Sequence, residues 1–571
     1  MAVGLYPLLK TGIRELVKER RVGTEIFVCV ATAIALAGGE YVAGSVLMTI
    51  ILIAEFIADF NTDRARASIH ALVGAAPRTA VVRDASGERT IPVAELRPGT
   101  VVLARAGERI PVDGVVVNGE ASVNEASITG ESVPVDRSSG DSVLAGTIVE
   151  SGAIDVRTDR VGADTMFARI IALVEHADSE QAPVQQLADR VAAWLLPVVG
   201  IFLLVVFLFT HDIRKIVTLL IFTSPAELGL ATPMVMVAAI ARAARLGILV
   251  KGGLYLERLA KVDVMVFDKT GTLTIGEPRV AAVLVHDAGL TEDEALRYAA
   301  AADRRSAHPL AKAVVAEAVQ RGLEIPEAQE FETIHGRGVR AVVEAREVLV
   351  GNEAFLEEHA VLSSGQRSGQ TTRVHVAING KLAASLEFAD AVRPRTADVI
   401  RRLKATGITR VMMLTGDNDE AAKRVAGELG IDEVRSKLLP EDKIKEIERL
   451  RREGHTVAMV GDGVNDAPAL AAADVGIAMG ARGTQAALEA ADLALMTDDL
   501  GRIVMARAIA RRAYRTIQEN LIVGVGVVHV LGITAALLGW IGPIQAAMLH
   551  LGPDVLVFVN SIKLLRVRID G

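Results

Sequence analysis

The feature that most constrains the fold of this chain is a set of six apolar segments that come in three pairs. Each segment is close to the roughly 20 residues that a helix needs to cross a lipid bilayer. We therefore predict six transmembrane helices, arranged as three hairpins. The segments cover about 24–39 and 41–61, 191–210 and 215–238, and 517–539 and 542–562.

The charges next to these segments predict which side faces the cytoplasm. Lysine and arginine flank the hairpins at positions such as Arg64, Arg242 and Lys563, whereas the turns inside the first and third hairpins carry none. This asymmetry follows the preference of basic residues for the cytoplasmic side. The turn of the second hairpin is an exception, because it contains Arg214 and Lys215. The pattern predicts a multi-pass protein of the cell membrane whose polar inserts are cytoplasmic.

Two long polar inserts separate the three hairpins. The first consists of short Val- and Ile-rich stretches broken by Gly, Pro and Asp, which predicts a small β-domain. The second alternates apolar strands with helical stretches, which predicts a parallel α/β sheet. The predicted domains are an amphipathic interfacial helix at 1–23, membrane hairpins within 24–61, 191–250 and 517–571, a β-domain at 62–190, a sheet domain built from 251–278 and 390–516, and a separate domain inserted into it at 279–389.

The composition agrees with membrane helices attached to large water-exposed domains. The 571 residues exceed a single hydrophobic core, and 51% hydrophobic residues occur together with 23% charged residues. The net charge of -8 argues against a nucleic-acid-binding protein, which normally carries a basic surplus. Because Cys29 is the single cysteine, the chain can form neither an internal disulfide nor a zinc or iron–sulfur centre from several of its own thiolates.

Residues with chemical potential concentrate at three predicted strand ends in the second insert. Parallel strands place their carboxyl ends at one edge of the sheet, where open α/β sheets bind their ligands. Together these residues would supply a carboxylate nucleophile, hydroxyl donors, a lysine for phosphate charge and carboxylates for Mg²⁺. They are Asp268, Lys269 and Thr270 at the first end, Thr415 and Asp417 at the second, and Asp462 and Asp466 at the third, with Lys443 between the last two ends.

A lone aspartate before Lys-Thr-Gly would indicate no more than a strand-end turn. The runs "DKTGTLT", "TGD" and "GDGVNDAPAL", in this order, resemble the signature set of the P-type ATPases. The resemblance implies that ATP phosphorylates Asp268, and that Asp462, Asp466, Asp268 and Thr270 hold Mg²⁺. The sequence has no G-x-x-x-x-G-K-[ST] run, which excludes a P-loop route to ATP hydrolysis.

The resemblance also implies an architecture. It predicts a bundle of membrane helices, a small β actuator domain, and a haloacid-dehalogenase-like α/β phosphorylation domain that is interrupted by an α+β nucleotide-binding domain. In the first insert Thr129-Gly130-Glu131-Ser132 matches the actuator loop of the family. By that match Glu131 would position the water that hydrolyses the aspartyl phosphate.

The inserted domain contains residues that resemble the nucleotide site of the heavy-metal branch of the family. The resemblance implies that His308 contacts the adenine, that Pro309 belongs to the same nucleotide-binding run, and that Gly336 and Gly338 make room for the nucleotide. Ala307 stands where the branch usually has glutamate, which removes one expected ATP contact.

The fourth apolar segment carries the expected transport motif, Ser224-Pro225-Ala226-Glu227. Pro225 removes a helix hydrogen bond, which a membrane helix tolerates where the freed carbonyl groups line a cavity. Heavy-metal pumps usually have Cys-Pro-Cys or Ser-Pro-Cys here. Since Ala226 replaces a thiolate and Glu227 adds a carboxylate, we expect a harder divalent cation than Cu⁺. Further ionisable residues in the apolar segments, where buried charge is costly enough to indicate a function, are Glu55, His529, His550 and Asp554.

We expect an ATP-driven exporter of Mn²⁺, Fe²⁺, Co²⁺ or Zn²⁺, with Mg²⁺ and Ca²⁺ less favoured. The resemblance further implies a monomer as the working unit and admits a metallochaperone as a partner. Family members typically carry two additional helices before the first segment found here, so the chain is either truncated or independent of them. Three alternatives remain: a membrane-tethered phosphatase that transports nothing, a regulatory homologue, and a potassium-pump subunit. The phosphatase would need neither the 129–132 loop nor Glu227.

Overall fold

The computed structural model shows two compact units, Met1–Val262 with Asp474–Gly571, and Asp263–Ala473. The structure describes residues 5–6, 9–10, 13–14, 24–42, 44–46, 48–49, 52–53, 56, 77, 79–84, 87–125, 134–165, 168, 183–223, 226–306, 308–334, 337–361, 373–417, 419–462, 466–480 and 490–566. The predicted interfacial helix at 1–23 falls almost entirely outside them.

The first unit contains a seven-stranded antiparallel sheet. Its valines, isoleucines and alanines alternate with polar residues, so that one face buries an apolar core that includes Val102, Ile110 and Ile154. In sheet order the strands are Gly87–Pro92, Thr79–Asp84, Val101–Arg105, Ile148–Arg160, Asp113–Asn124 and Val135–Arg137, and Ser142–Val143 pairs with Asp113–Asn124.

The same unit contains apolar helices that overlap the predicted membrane segments. Among the described residues, one helix, Gly501–Leu537, is long and apolar enough to cross a membrane, and shorter apolar helices cover Val28–Ala37, Pro197–Thr210 and Thr232–Ala244. The helices whose bounds the structure describes in this unit are Thr24–Ala37, Pro183–Thr210, Ile213–Phe222, Ala226–Ala244, Gly253–Lys261, Gly501–Glu519 and Pro543–Lys563. Gly501–Glu519 continues through a π-helical stretch at Asn520–Val527 into Val528–Leu537.

Two of these helices differ from the sequence prediction. The segment predicted as one helix over 215–238 is divided, because one helix ends at Phe222 and the next begins at Ala226. Thr223 caps the first helix, and the sequence continues with Ser224-Pro225, where proline cannot donate the hydrogen bond that would extend that helix. The helix predicted to begin at 517 begins at Gly501. Its first turns bury Ile503 and Ile509 together with Arg507, which donates to the carbonyl oxygen of Leu259 at 2.8 Å, so polar residues that hydropathy excludes from the segment are part of the helix. The number of membrane crossings stays a prediction.

Arg214 and Lys215, the two basic residues that depart from the predicted charge asymmetry, each contact another residue. Nε of Arg214 lies 3.0 Å from Oε1 of Glu40. Nζ of Lys215 donates to the carbonyl oxygen of Leu537, 3.3 Å away, at the end of a helix. A lysine at a helix C-terminus is favourable because it complements the helix dipole. These partners give a physical reason why the second hairpin turn tolerates positive charge.

The second unit is built on a parallel sheet. All five residues of its strand Val264–Asp268 are buried, as expected for a strand that is covered on both faces. The strands that lie in Asp263–Ala473 are, in sheet order, Glu433–Arg435, Arg410–Leu414, Val264–Asp268 and Val457–Gly461. The helices that alternate with them are Thr396–Ala405, Asp419–Leu429, Pro440–Arg452 and Ala467–Ala472.

A six-stranded antiparallel sheet is inserted into this unit after the first strand. Helices Glu292–Asp303 and Pro309–Gln320 cover one face, and Thr291 and Glu294 start the first of them with a capping box. The strands, in sheet order, are Thr274–Val285, Lys381–Val392, Arg373–Ile378, Arg346–Gly351, Gly338–Val343 and Ala328–Ile334, and the short helix Glu353–Glu358 follows the fourth.

The strands Thr274–Val285 and Lys381–Val392 are also the two connections between the inserted sheet and the parallel sheet. They pair with each other from Thr274 opposite Val392 to Val285 opposite Ala384, with irregularities between Thr274 and Pro278 and between Val280 and Ala282. Both chain crossings therefore belong to one hydrogen-bonded ribbon.

Candidate active site

Asp268 lies at the carboxyl end of the buried central strand of the parallel sheet, and its side chain meets a lysine there. Nζ of Lys443 is 2.6 Å from Oδ1 of Asp268 and 2.6 Å from Oδ1 of Asp466. Lys443 belongs to the helix Pro440–Arg452, and Asp466 directly precedes another helix. Asp268 is 6% exposed and Asp466 is 2% exposed, so the lysine joins two carboxylates that water hardly reaches.

Burial sets the charge state of this site. It raises the pKa of Asp268 to about 6, and the negative charges of Asp466 and Asp462 act in the same direction while Lys443 opposes them. Burial also lowers the pKa of Lys443, but Asp268 and Asp466 outweigh it and the net pKa is raised. Lys443 therefore stays a cation, and Asp268 ionises near neutral pH, which suits a nucleophile that receives a phosphoryl group.

The turn that follows Asp268 requires a glycine. Gly271 has a φ of +72°, and a side-chain carbon added to it would lie 2.9 Å from Oδ2 of Asp462. Both the left-handed backbone and the close approach exclude a larger residue without strain. Lys269 on this turn is buried and forms an ion pair with Asp417, while Thr270 is exposed.

The second strand end lies beside the first, because Leu414 pairs with Asp268. Thr415 comes next and is 2% exposed. Its Oγ1 accepts a hydrogen bond from the backbone N–H of Asp417 at 3.1 Å, which leaves its own hydroxyl hydrogen for another acceptor. The structure thus brings the predicted strand-end residues Asp268, Lys269, Thr415 and Asp417 together with Lys443 and Asp466.

The oxygen donors at this edge suit Mg²⁺. Among the described residues no three His, Cys, Asp or Glu side chains converge closely enough to bind a metal by themselves. Mg²⁺ commonly uses one or two protein carboxylates and completes its shell with water and phosphate oxygens, so it does not need a full protein cage. Asp462, Asp466, Asp268 and Thr270 offer oxygen donors of this kind, which nucleotide phosphate oxygens would complete.

Two residues that support the turn after Asp268 have no sequence motif among those recognised above. Arg393 donates from Nε to the carbonyl oxygen of Thr272 at 2.9 Å and from Nη2 to that of Gly271 at 2.8 Å. The hydroxyl of Thr274 donates to Asp390. The sequence signals for these contacts are Asp390 and the Arg393-Pro394 step at the end of the strand Lys381–Val392. Their partners lie more than a hundred residues earlier in the chain, so the sequence alone does not show that these residues contact the turn.

The residues predicted to bind nucleotide lie in the inserted domain. His308 is exposed, and its Nδ1 accepts the backbone N–H of Leu310 at 3.2 Å, so that the neutral ring carries its proton on Nε2. Pro309 is the first residue of the helix that follows. A side-chain carbon at Gly338 would lie 2.4 Å from the carbonyl oxygen of Val350, so close packing explains this glycine. Gly336 lies outside the described residues.

Asp303 is a further candidate in this domain that the motifs did not reveal. It ends the helix Glu292–Asp303, five residues before His308, and is 5% exposed. Burial raises its pKa to about 7. A buried carboxylate with a raised pKa next to a predicted ligand site is a candidate for ligand binding. An acidic residue at the end of an alanine-rich helix was the only signal in the sequence.

The predicted actuator loop cannot be placed, because Thr129, Gly130 and Glu131 lie outside the described residues. The strands on either side of it are described. They pair antiparallel, with Val123 opposite Val135.

Two of the predicted cation ligands lie close together between apolar helices. The rings of His529 and His550 are 5.8 Å apart and nearly perpendicular. Nδ1 of His529 donates to the carbonyl oxygen of Val525 at 2.7 Å, so the neutral ring has its lone pair on Nε2, the atom that could bind a metal. A π-helical stretch, Asn520–Val527, ends two residues before His529, and such stretches often occur at functional sites. His550 is 3% exposed.

The structure does not describe the side chains of the other predicted cation ligands. Glu55, Ser224 and Pro225 lie outside the described residues. Glu227 and Asp554 are helical, and their side chains also lie outside the described part of the chain. Pro553 interrupts the hydrogen bonds of the helix that carries His550 and Asp554, which frees a carbonyl group near these residues.

Comparison with known proteins agrees with this geometry. Residues 262–474 match the haloacid dehalogenase-like hydrolases, and residues 74–175 match the P-type ATPase actuator domain. A manganese-exporting P-type ATPase of Mycobacterium tuberculosis is 38% identical over 99% of this chain and 81% of its own length. A zinc-exporting P-type ATPase of Mycobacterium marinum is also 38% identical, over 99% of this chain and 79% of its own. The crystal structure of a zinc-transporting PIB-type ATPase in the E2.Pi state matches with a TM-score of 0.66 and 34% identity, covering 99% of this chain and 94% of that one. The chain therefore belongs to the heavy-metal-transporting branch of the P-type ATPases.

Proposed function

We propose that this chain hydrolyses ATP through a phosphoenzyme on Asp268 and uses the cycle to export a divalent transition-metal cation. The observation that carries the proposal is the contact of Lys443 with both Asp268 and Asp466 at the end of the central strand. A buried carboxylate with a cation beside it is ready to receive a negatively charged phosphoryl group.

The phosphorylation step follows from these groups. A carboxylate oxygen of Asp268 attacks the γ-phosphorus of ATP, and the bond to the bridging oxygen breaks so that ADP leaves with the electron pair. Lys443 offsets the charge of the phosphoryl oxygens, and the Thr415 hydroxyl can donate to one of them. Mg²⁺, when held by Asp462, Asp466, Asp268 and Thr270, would supply further positive charge to the phosphate oxygens.

Hydrolysis of the phosphoenzyme completes the cycle. In our proposal Glu131 accepts a proton from a water molecule whose oxygen attacks the phosphorus. The bond between phosphorus and the Asp268 oxygen then breaks, which releases inorganic phosphate and restores the carboxylate. His308, Pro309, Gly336 and Gly338 hold the nucleotide in the inserted domain.

The cargo site combines imidazole and carboxylate ligands. His529 and His550 provide two ring nitrogens, and we propose that Glu227, Asp554 and Glu55, with the helix break at Ser224-Pro225, complete the site. This mixture suits Mn²⁺, Fe²⁺, Co²⁺ or Zn²⁺ better than Cu⁺. Relatives of equal identity are named for manganese and for zinc, so similarity does not choose between the two.

The proposed topology has six membrane helices in a cell membrane, with the soluble domains in the cytoplasm and a monomer as the working unit. Moving a cation against a membrane potential costs about 2.3 kcal/mol per charge per 100 mV. A phosphoenzyme cycle supplies this energy by alternating two states whose cargo site opens to opposite sides. A metallochaperone could deliver the cation.

The first test is covalent labelling. Purified protein incubated with γ-³²P-labelled ATP and Mg²⁺ should acquire an acid-stable, hydroxylamine-sensitive label. Asp268→Asn should abolish the label, whereas Asp287→Asn, at an exposed loop position, should retain it. A label that survives Asp268→Asn would overturn the proposal.

The second test separates a pump from a phosphatase. ATPase activity and uptake into inside-out vesicles are measured with Mn²⁺, Fe²⁺, Co²⁺ and Zn²⁺. At least one cation should stimulate both activities, and Glu227→Ala should weaken the stimulation. Phosphoenzyme formation without stimulation or uptake of any cation would support a membrane-tethered phosphatase instead.

A further inference from the structure

A network of buried hydrogen bonds joins the two apolar helices that carry the histidines of the proposed cargo site. Asn520 donates from Nδ2 to Oγ of Ser561 at 3.2 Å, and its Oδ1 accepts a hydrogen bond from Nδ2 of Asn560 at 3.0 Å. Asn520 is 2% exposed and Ser561 is 1% exposed. Asn520 begins the π-helical stretch Asn520–Val527, whereas its two partners belong to Pro543–Lys563. Both bonds therefore cross from one helix to the other.

The direction of these bonds is determined by their neighbours. The Ser561 hydroxyl donates its single hydrogen to the carbonyl oxygen of Val557 at 2.6 Å, so its oxygen can only accept from Asn520. Nδ2 of Asn560 also donates to Oε2 of Glu519 at 3.3 Å. The Asn520 amide thus donates to one residue of the neighbouring helix and accepts from the residue beside it. This combination restricts how the two helices can be placed against each other.

The same two helices make a close apolar contact and then bring the histidine rings together. A side-chain carbon added to Gly524 would lie 2.8 Å from Cγ2 of Val557, so the helices approach each other closely there. The rings of His529 and His550 are 5.8 Å apart. The partners follow in opposite order along the two helices, so these contacts form one antiparallel interface. The network lies on one side of the close contact and the histidine rings lie on the other.

Apolar packing alone is a weak way to set the register of such an interface. Lipid tails are as apolar as Val and Leu side chains, so sliding one apolar helix along another changes the free energy little. A buried asparagine, by contrast, can specify the register of packed helices. A slip by one residue moves a helix by about 1.5 Å, whereas a binding site must be held to within about 0.5 Å. The register therefore matters most to the metal ligands.

We propose that this network is a positioning device, and that its hydrogen bonds fix the register at which His529 and His550 meet the transported cation. Asn520, Asn560 and Ser561 are its positioning residues, which act through the helices and not as ligands. The inference rests on the proposed function, because it concerns the proposed cargo site. It predicts an effect on metal affinity and on coordination geometry, and not on the rate of phosphorylation.

The test compares matched substitutions in the full-length protein. Ser561→Val and Ser561→Thr have the same shape, but only threonine keeps the hydroxyl group. Ser561→Val and Asn520→Leu should each raise the metal concentration for half-maximal ATPase stimulation by about 10-fold, the lower end of the range for residues that orient metal ligands. The maximal rate of labelling by γ-³²P-labelled ATP should stay within about 2-fold of the parent. Ser561→Thr should behave like the parent, and so should Thr534→Val, which loses a bond within one helix at an exposed position.

The visible absorption of bound Co²⁺ gives a second measurement, because it reports the geometry of the metal ligands. Asn520→Leu and Ser561→Val should change this spectrum, whereas Ser561→Thr should keep it. Both apolar substitutions suit an interface between apolar helices, so we expect these variants to fold.

Three outcomes would overturn the inference while leaving the proposed function intact. The first is parental metal dependence and a parental Co²⁺ spectrum in Asn520→Leu and Ser561→Val. The second is an equal response of Ser561→Val and Ser561→Thr, because side-chain shape would then explain the effect. The third is a loss of labelling at every metal concentration, which would show a structural role. If His550→Ala itself leaves metal stimulation unchanged, the proposed cargo site fails, and this inference fails with it.

Discussion

The proposed phosphorylation site and the histidine pair are built in opposite ways. At the proposed phosphorylation site, the ends of parallel strands place Asp268 beside its own cation, with Nζ of Lys443 2.6 Å from Oδ1 of Asp268. The proposed cation site instead draws on separate helices, and its described part consists of two imidazoles, which bind metals in their neutral form. In the proposed cycle the first site has its lysine before the nucleotide binds, whereas the second gains a positive charge when the metal cation binds. Changes at the first should lower turnover at every metal concentration, and changes at the second should alter the metal dependence.

Lys443→Met should give the largest effect. It leaves Asp268 and Asp466 as two buried carboxylates without their cation, and it raises the pKa of Asp268 further because Lys443 opposes the effect of burial. Removing one such electrostatic group costs about 10²- to 10³-fold in rate. The rate of labelling by γ-³²P-labelled ATP should fall by about 10³-fold at saturating metal. Lys445→Met, on the exposed side of the same helix, is the matched control. A near-normal rate in Lys443→Met would remove the basis of the comparison.

His550→Ala should act on the metal dependence instead. Loss of one imidazole should raise the metal concentration for half-maximal ATPase stimulation by about 10- to 100-fold, the range found when metal-site groups are removed. The maximal labelling rate should change little. His211→Ala, at an exposed histidine outside the pair, should leave both quantities unchanged. An equal loss of labelling at all metal concentrations would mean that the two sites are not separable in this way.

Gly271→Ala should produce an intermediate loss at the phosphorylation site. A side chain at a φ of +72° costs roughly 1–2 kcal/mol, and its carbon would also approach Oδ2 of Asp462 to 2.9 Å. We expect about 10-fold slower labelling and a higher Mg²⁺ requirement. Gly380→Ala is a close control, because Gly380 has a similar φ of +74° but nothing within 4 Å of the added carbon. If both variants behave alike, backbone strain and not the contact with Asp462 explains the glycine.

Lowering the pH should give the smallest effect. Because the pKa of Asp268 is raised to about 6, its protonated and unreactive form becomes populated as the pH falls through 6. Labelling at saturating ATP should therefore be about half as fast at pH 6 as well above it. Asp303, whose pKa is raised to about 7, should influence the ATP concentration needed and not this saturated rate. An acid limb below pH 5 would show that Lys443 controls Asp268 more strongly than burial does.

The sequence predicted which residues meet at the ends of the parallel strands better than it predicted any other part of the molecule. Its residues fall in short runs at strand ends, and the order of Asp268, Asp417 and Asp466 along parallel strands requires them to lie at one edge of the sheet. Family membership was confirmed by the relatives and by the solved structure. By contrast, Arg393 and Asp390 escaped prediction, because their contacts to the turn depend on a strand that returns after the inserted domain.

Helix interruptions and cargo ligands were harder to predict for a different reason. Hydropathy reports which residues avoid water but does not report how a helix is rotated about its axis, so it could not show that His529 and His550 face each other. It also did not reveal the π-helical stretch at Asn520–Val527 or the helix start at Gly501. The grouping of Glu227, Asp554 and Glu55 with the histidines stays a prediction.

The paired connecting strands have a consequence for how nucleotide reaches Asp268. Two separate flexible linkers would leave the orientation of the inserted domain unconstrained. Here the two connecting strands are hydrogen-bonded to each other along most of their length. In the proposed cycle we expect the γ-phosphate to approach Asp268 by bending of this ribbon at its irregular steps, between Thr274 and Pro278 and between Val280 and Ala282. The stiffness of the ribbon, and not the length of a flexible tether, would then limit that approach.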